Sequence, residues 1–370
     1  MKKNIVIIIS ALNMGGAQKV SSLLANNWAK DGHKVTVICT FDKEIKKHYS
    51  LNKSINLIEL NKSNFFLKNK YLNLIWKLIS LRRSIVSQNP DLIISFLARI
   101  NLAASISTFG LKTKLIICER SWPPFASLDR NFYWLHRIFL KRVDKFVVQT
   151  QKSKSWLSIN FPNRPVEVIP NPCEYPIISG KKDIINPNSQ ILKTKKIILA
   201  SGRLHKVKQF DLLIKAYSRI KDSYLNWDLV ILGEGKERKL LESMVLDYSL
   251  SKRVFLPGEV GNIYEWYERA DLFVLSSLIE GFPNVLLEAM SYGVPSISFD
   301  CNTGPSDMIK QGVNGLLINP QKKDQGLSEA IEELILNKEY RTKLSENSVL
   351  VREKYSVNNI MQLWNDVLKL

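Results

Sequence analysis

The feature that most restricts the fold is an alternation along the whole chain. Apolar runs of three to six residues, rich in Ile, Val and Leu, take turns with longer stretches of helical periodicity. Runs so short and continuous read as strands buried on both faces, and strands alternating with helices build parallel sheets covered by helices. In the front half the runs fall at 5–9, 34–39, 92–95, 115–118, 146–149 and 166–169, and in the back half at 197–200, 228–232, 254–256, 272–275 and 296–299. A polar, lysine-rich stretch at 179–196, with Asn186, Pro187, Asn188 and Ser189 at its centre, separates the two sets. The expectation is an α/β protein with a first domain over 1–178, a linker over 179–196, a second domain over 197–356 and a last helix over 357–370. With 370 residues, 45% hydrophobic and 24% charged, there is enough chain for two such domains. Open α/β sheets bind ligands outside the carboxyl ends of their strands, so the residues that follow each run are where a site is sought.

The most informative of these follow the run at 272–275. Pro283 fixes φ and gives up an N–H that a first-turn residue would not use, so a helix is expected to begin there. The amides of Asn284, Val285 and Leu286 would then point out of its N-terminus, an end that suits a phosphate, and Gly281 would let the backbone come close to a ligand. Glu280 before the helix and Glu288 two turns into it could accept hydrogen bonds from hydroxyls on either side of that phosphate. Hydroxyls on both sides of a diphosphate describe a sugar nucleotide.

Glu280-Gly281-Phe282, Pro283-Asn284, Leu287-Glu288-Ala289-Met290 and Gly293-Val294-Pro295 together resemble the signature of retaining family 4 glycosyltransferases, enzymes of the GT-B fold with two Rossmann-like domains facing a central cleft. The resemblance implies that the last helix crosses back onto the first domain. It also assigns roles. Arg203 and Lys208, in Ser201-Gly202-Arg203-Leu204-His205-Lys206-Val207-Lys208, would hold the donor diphosphate, Glu280 the donor sugar, and Glu288 the ribose. Two fixed cations can offset the charge that grows on a leaving diphosphate without a metal, and removing one such clamp costs about 2.7 to 4 kcal/mol. Gly233 and Gly235 after the run at 228–232, with Leu256 and Pro257, would flank base and ribose. Gly15 and Gly16, after the first run, match the family's glycine loop facing the donor diphosphate and the acceptor. Thr303-Gly304-Pro305-Ser306-Asp307 resembles a segment of bacterial members that build surface glycans. One departure stands out: many relatives carry a histidine where this chain runs from Cys118 into Glu119 and Arg120, so these two are the candidates for contact with acceptor or donor sugar, and the proton acceptor is left open. No Asp-x-Asp motif occurs, so no metal is expected; UDP-sugar is a co-substrate, and no cofactor is called for.

Charge points to a further partner. Residues 1–180 hold 27 Lys and Arg against 10 Asp and Glu, and residues 181–370 hold 26 against 24. Such a basic front half attracts nucleic acid or an anionic membrane surface. No nucleic-acid module accompanies it. Instead, residues 62–84 place Leu67, Tyr71, Leu74, Leu78 and Leu81 at helical spacing with Lys68, Lys70, Lys77, Arg82 and Arg83 alongside, the composition of an interfacial helix. Residues 132–142, with Arg137, Lys141 and Arg142, add a second basic patch, and each cation near an anionic leaflet contributes about 1 kcal/mol. No apolar stretch nears the roughly 20 residues that span a bilayer. The four cysteines are scattered, without metal or redox spacing, which fits a reducing cytoplasm. The expected activity is transfer of a hexose or N-acetylhexosamine from a UDP-sugar to a lipid-diphosphate-linked glycan at the inner face of the plasma membrane. A UDP-sugar epimerase of the same fold is the alternative enzyme, and a basic nucleic-acid-binding protein the alternative class.

Overall fold

The computed structural model describes residues 2–13, 15–40, 49–60, 70–123, 135, 137–177 and 183–368. The chain divides into two compact units, residues 1–171 with 360–370, and residues 172–359.

The first unit is built on a seven-stranded sheet, all of its pairs parallel: β1 (Asn4–Ile9), β2 (Lys34–Cys39), β3 (Asn56–Glu59), β4 (Leu92–Phe96), β5 (Lys114–Cys118), β6 (Lys145–Val148) and β7 (Val166–Val168), in the order β3-β2-β1-β4-β5-β6-β7. Five of the six β1 residues are fully buried, which explains the unbroken Ile-Val run: helices cover both faces, so no position alternates to water. Helix α1 (Gly16–Lys30) packs beside β1 and β2 through Val20, Leu24 and Trp28. Trp28 meets Trp364 edge-on at 6.0 Å and donates to Asn365 Oδ1 at 3.2 Å, tying the end of the chain into this core.

The second unit carries a six-stranded parallel sheet of β8 (Lys196–Ser201), β9 (Trp227–Leu232), β10 (Val254–Gly258), β11 (Leu272–Leu275), β12 (Ser296–Phe299) and β13 (Leu316–Ile318), ordered β10-β9-β8-β11-β12-β13. Both orders reverse direction next to their first strand, between β1 and β4 and between β8 and β11, which is the doubly wound, Rossmann-like pattern. The core between β8, β9 and the helix Phe210–Ile220 is made by Leu213, Ile214, Tyr217, Leu229 and Ile231. Of the stretch read as a linker, residues 183–196 lie in this unit, where Pro187–Gln190 form one helical turn capped by Asn186, and 179–182 fall outside the described residues.

Two edge strands, β3 and β13, were not legible as apolar runs. Each is flanked on one side only, and β3 shows no fully buried residue.

The basic helix runs Lys70–Gln88, and its expected apolar stripe is divided between core and solvent. Leu81 and Ile85 are the core-facing residues, whereas Tyr71 is 76% and Leu74 54% exposed, alongside exposed Leu72, Ile75 and Ile79. The helix is apolar on two sides, and it engages its neighbour through Leu78 and Arg82: Ser107 Oγ donates to the Leu78 carbonyl at 3.1 Å, and Arg82 to those of Ser107 and Phe109 at 2.9 and 2.7 Å. Leu67 and Lys68, and residues 132–134 and 136 of the second patch, lie outside the described residues. Among the described residues no helix is long and apolar enough to cross a membrane.

Candidate active site

The site residues of the second unit collect at its strand reversal. The chain leaves β8 through Gly202 and an exposed Arg203, makes a 3₁₀ turn over Lys206–Lys208, and enters the helix Phe210–Ile220 by way of Gln209 in the left-handed region (φ 48°). His205 is exposed, and its Nδ1 accepts from the Val207 N–H at 3.3 Å, so its observed work is capping this turn. The turn is pinned against the chain leaving β11, since Ser276 Oγ donates to the Lys208 carbonyl at 2.7 Å and the Leu278 N–H to that of Val207 at 2.8 Å. The consequence is a contact across 72 positions of sequence: Lys208 Nζ lies 2.5 Å from Glu280 Oε1, with the side chains 21% and 11% exposed. The cation and the carboxylate that the sequence assigned to neighbouring parts of one ligand hold each other. Arg203 forms no ion pair among the described residues.

The following segment differs in detail from expectation. The helix starts at Asn284, with Pro283 as its N-cap, and the Leu286 N–H is already bonded to the Pro283 carbonyl at 3.1 Å. The amide of Leu286 is therefore not one of those presented to a ligand. Phe282 is buried edge-to-face against Tyr355 at 5.6 Å, an anchor for the loop. Gly281, Asn284 and Val285 are partly buried, and Leu286 is in the core. Thr303 Oγ1 donates to the Glu280 carbonyl, and Gly304 (φ 99°) packs so closely that a Cβ would sit 2.6 Å from Pro283 Cδ and 3.1 Å from the Gly281 oxygen. The Thr303–Gly304 corner thus seats the Glu280 loop. Beside it the Cys301 thiol is pushed up to about 12, first by burial and then by the Glu280 carboxylate.

Glu288 projects toward Tyr267, whose hydroxyl donates to Oε2 at 3.3 Å. Burial, then the Glu288 charge, raises the Tyr267 pKa well above the usual phenol range, so it stays a donor. Sequence reasoning missed this tyrosine, because nothing in Ile263–Arg269 marks it apart from a helix pattern. Gly233 and Gly235 have a reason other than ligand approach: a Cβ would lie 2.0 Å from the Gly202 oxygen and 2.2 Å from the Leu204 oxygen respectively, so the loops after β8 and β9 close on each other only with glycine there. Arg238 grips Glu234 with two bonds (2.8 and 2.5 Å) and reaches the Leu256 carbonyl at 3.3 Å, linking that loop to the half-buried Leu256 and Pro257 of β10, a pair that the sequence reads as a turn.

Gly15, Gly16, Glu119 and Arg120 belong to the first unit. Gly15 is the N-cap of α1 in extended conformation, where a Cβ would meet only the flexible Gln18 side chain, and Gly16 is the first helical residue. Glu119, 3% exposed, accepts from Asn101 Nδ2 at 2.9 Å. The Arg120 guanidinium lies 5.0 Å from the Phe96 ring centroid and 5.7 Å from that of Trp364, and donates to Asn171 Oδ1 at 3.1 Å. Asn101, Gln149 and Asn171 were not picked out from sequence, although Gln149 ends one expected strand and Asn171 lies two residues past another.

Two parallel Rossmann-like sheets of this order, with a lysine–carboxylate pair at the strand reversal of the second, define a GT-B enzyme. Residues 14–174 match the family described as Glycosyltransferase Family 4, and residues 181–350 that described as Glycosyl transferases group 1. The chain is 30% identical, over 97% of its own length and 96% of the relative's, to GalNAc-alpha-(1->4)-GalNAc-alpha-(1->3)-diNAcBac-PP-undecaprenol alpha-1,4-N-acetyl-D-galactosaminyltransferase of Campylobacter jejuni. Among solved structures, a sucrose-phosphate synthase from Thermosynechococcus elongatus superposes with a TM-score of 0.86 (17% identity, 100% and 98% of the chains), and Anabaena HepE in complex with UDP-glucose with 0.78 (17%, 100% and 100%). The chain belongs to the family 4 glycosyltransferases.

Proposed function

We propose that this glycosyltransferase moves a hexose or N-acetylhexosamine from a UDP-sugar, with retention and without a metal, onto a lipid-diphosphate-linked glycan in the making of a bacterial surface polysaccharide. The observation that carries the donor half is the Lys208–Glu280 pair beside the Asn284 helix start. In this reading Lys208 and the exposed Arg203 take the diphosphate, Glu280 turns to the sugar hydroxyls, and Glu288, oriented by Tyr267, takes the ribose hydroxyls. The Gly233–Gly235 loop and the end of β10 at Leu256 and Pro257 flank the base. The acceptor hydroxyl attacks the anomeric carbon on the departing side. The bond from that carbon to the diphosphate oxygen breaks, UDP leaves with its electron pair, and a diphosphate oxygen takes the acceptor proton. The relative's undecaprenol-linked acceptor and HepE's UDP-glucose complex favour these substrate classes.

The same reading places the enzyme at the inner membrane face, docked through the first unit. What supports it is the outward side of the helix Lys70–Gln88, where Leu74, Ile75 and Ile79 are exposed next to Arg83, with Arg137 and Lys141 exposed on a second element. The test is a ligand-shift melting series over UDP, GDP, ADP and CMP and their sugars, with and without EDTA. A ligand at 100 times its Kd adds about 2.7 kcal/mol, so a UDP shift that survives EDTA is expected. No shift with any nucleotide would sink the donor assignment.

A further inference from the structure

The carboxyl ends of β4 to β7 carry a set of buried polar groups that the donor chemistry does not use. Ser95 Oγ donates to Asn101 Oδ1 at 2.8 Å, Asn101 to Glu119 at 2.9 Å, and Gln149 to Asn171 Oδ1 at 2.7 Å, all of these side chains being under 9% exposed. Arg120 joins the set through Nη1 and Asn171 at 3.1 Å. Its Nε and Nη2 are shielded from water and make no geometrically sound hydrogen bond, the weakly accepting Cys118 thiol is an electrostatic neighbour, and no carboxylate lies within ion-pair distance of it among the described residues. A partly buried cation whose shielded edge lacks a counter-charge is costly, and Nε with Nη2 is the edge of the guanidinium that receives two oxygens side by side. The rings of Phe96 and Trp364 fix the plane of that fork. Its place, outside the carboxyl ends of strands in an open sheet, is where such folds bind ligands.

We propose that Arg120 is the anion-recognition residue of the first unit, its Nε–Nη2 edge receiving a phosphate of one of the two substrates. This rests on the reading that both substrates carry diphosphates, and it deepens that reading by naming the group that the first unit takes. The experiment is calorimetric titration of the full chain with a short-chain prenyl diphosphate and, separately, with UDP, using wild type, Arg120→Ala, Arg120→Lys and Lys208→Ala. Arg120→Ala is expected to weaken prenyl diphosphate about tenfold or more and to leave UDP within about twofold, with Lys208→Ala showing the reverse. Arg120→Lys, which keeps the charge and loses the fork, should fall between, and it carries the test if the alanine variant does not fold. Weakening of UDP alone would keep Arg120 as the anion residue and assign it to the donor. Unchanged affinity for both ligands in a folded variant would overturn the proposal. Failure of wild type to bind UDP would instead count against the donor reading, leaving Arg120 to be judged on prenyl diphosphate.

Discussion

At the carboxyl end of the second sheet the site's cation and carboxylate lie 2.5 Å apart and neutralise each other, whereas at that end of the first sheet a guanidinium is held by two aromatic rings and one neutral amide. In the proposed reading the first arrangement stores its own counter-charges, and an arriving diphosphate would displace Glu280 from Lys208. In the second, no carboxylate among the described residues holds the guanidinium. The difference teaches that an ion pair inside a site is not evidence of a structural role alone: its members can be surrogates for the ligand groups that each will bind.

The largest effects should come from breaking that pair. Glu280→Ala and Lys208→Ala are each expected to cost about 2.7 to 4 kcal/mol of transition-state stabilisation, read as kcat/KM on a UDP-sugar. The two should part in binding. Lys208→Ala weakens UDP, while Glu280→Ala frees the lysine and leaves UDP bound as well as before or better. Equal losses of UDP affinity in both variants would mean that Glu280 is not a surrogate.

Next in size is the corner that seats the Glu280 loop. Gly304→Ala forces a side chain into a left-handed backbone and against Pro283, for about 1 to 3 kcal/mol of stability. For a unit of this size each kcal/mol lowers Tm by about 2–4 °C, so a melting scan decides it, and an unchanged Tm would show that the corner does not hold the loop. Gly15→Ala, where only Gln18 must move, is the contrasting variant from the first unit and should melt close to wild type.

These contrasts also mark what was legible in the sequence. Strands buried on both faces announce themselves, because nearly every position is apolar; β1, β4, β9 and β11 were readable for that reason despite buried Ser95 and Asp228, while edge strands β3 and β13 were not. The two glutamates around Pro283 were visible as a local pattern. Their partners were not: Lys208 reaches Glu280 only because β8 and β11 are neighbours at the reversal, and Tyr267 reaches Glu288 from a separate helix. Likewise Gly233 and Gly235 read as a ligand loop, and their steric reason, the backbone of Gly202 and Leu204, exists only in three dimensions.

Tyr267→Phe removes a hydroxyl shared between Glu288 Oε2 at 3.3 Å and the Val285 carbonyl at 3.4 Å, and should weaken UDP by about 0.5–1.5 kcal/mol, a change of a few-fold measured by calorimetry. A loss as large as that of Lys208→Ala would give the tyrosine a role beyond orienting the carboxylate.

The smallest effects concern two thiols that set the regions side by side. Cys118 in the first unit and Cys301 in the second are both pushed up to about 12, and burial is the largest cause for each. The neighbouring charges then act in opposite senses: Arg120 draws the Cys118 value down, and Glu280 drives the Cys301 value up. Both should therefore resist alkylation at pH 8 in the native protein. Glu280→Gln should make Cys301 easier to ionise, and Arg120→Gln should make Cys118 harder, as read from the pH dependence of native-state alkylation. The sign for stability follows from the same shifts. A thiol with a raised folded pKa contributes stability that is fully present below the unfolded value, near 8.5, and is lost as the pH climbs toward 12. Arg120→Gln should extend that alkaline loss to higher pH and Glu280→Gln should end it sooner; a common response to both substitutions would mean that burial alone governs the two thiols.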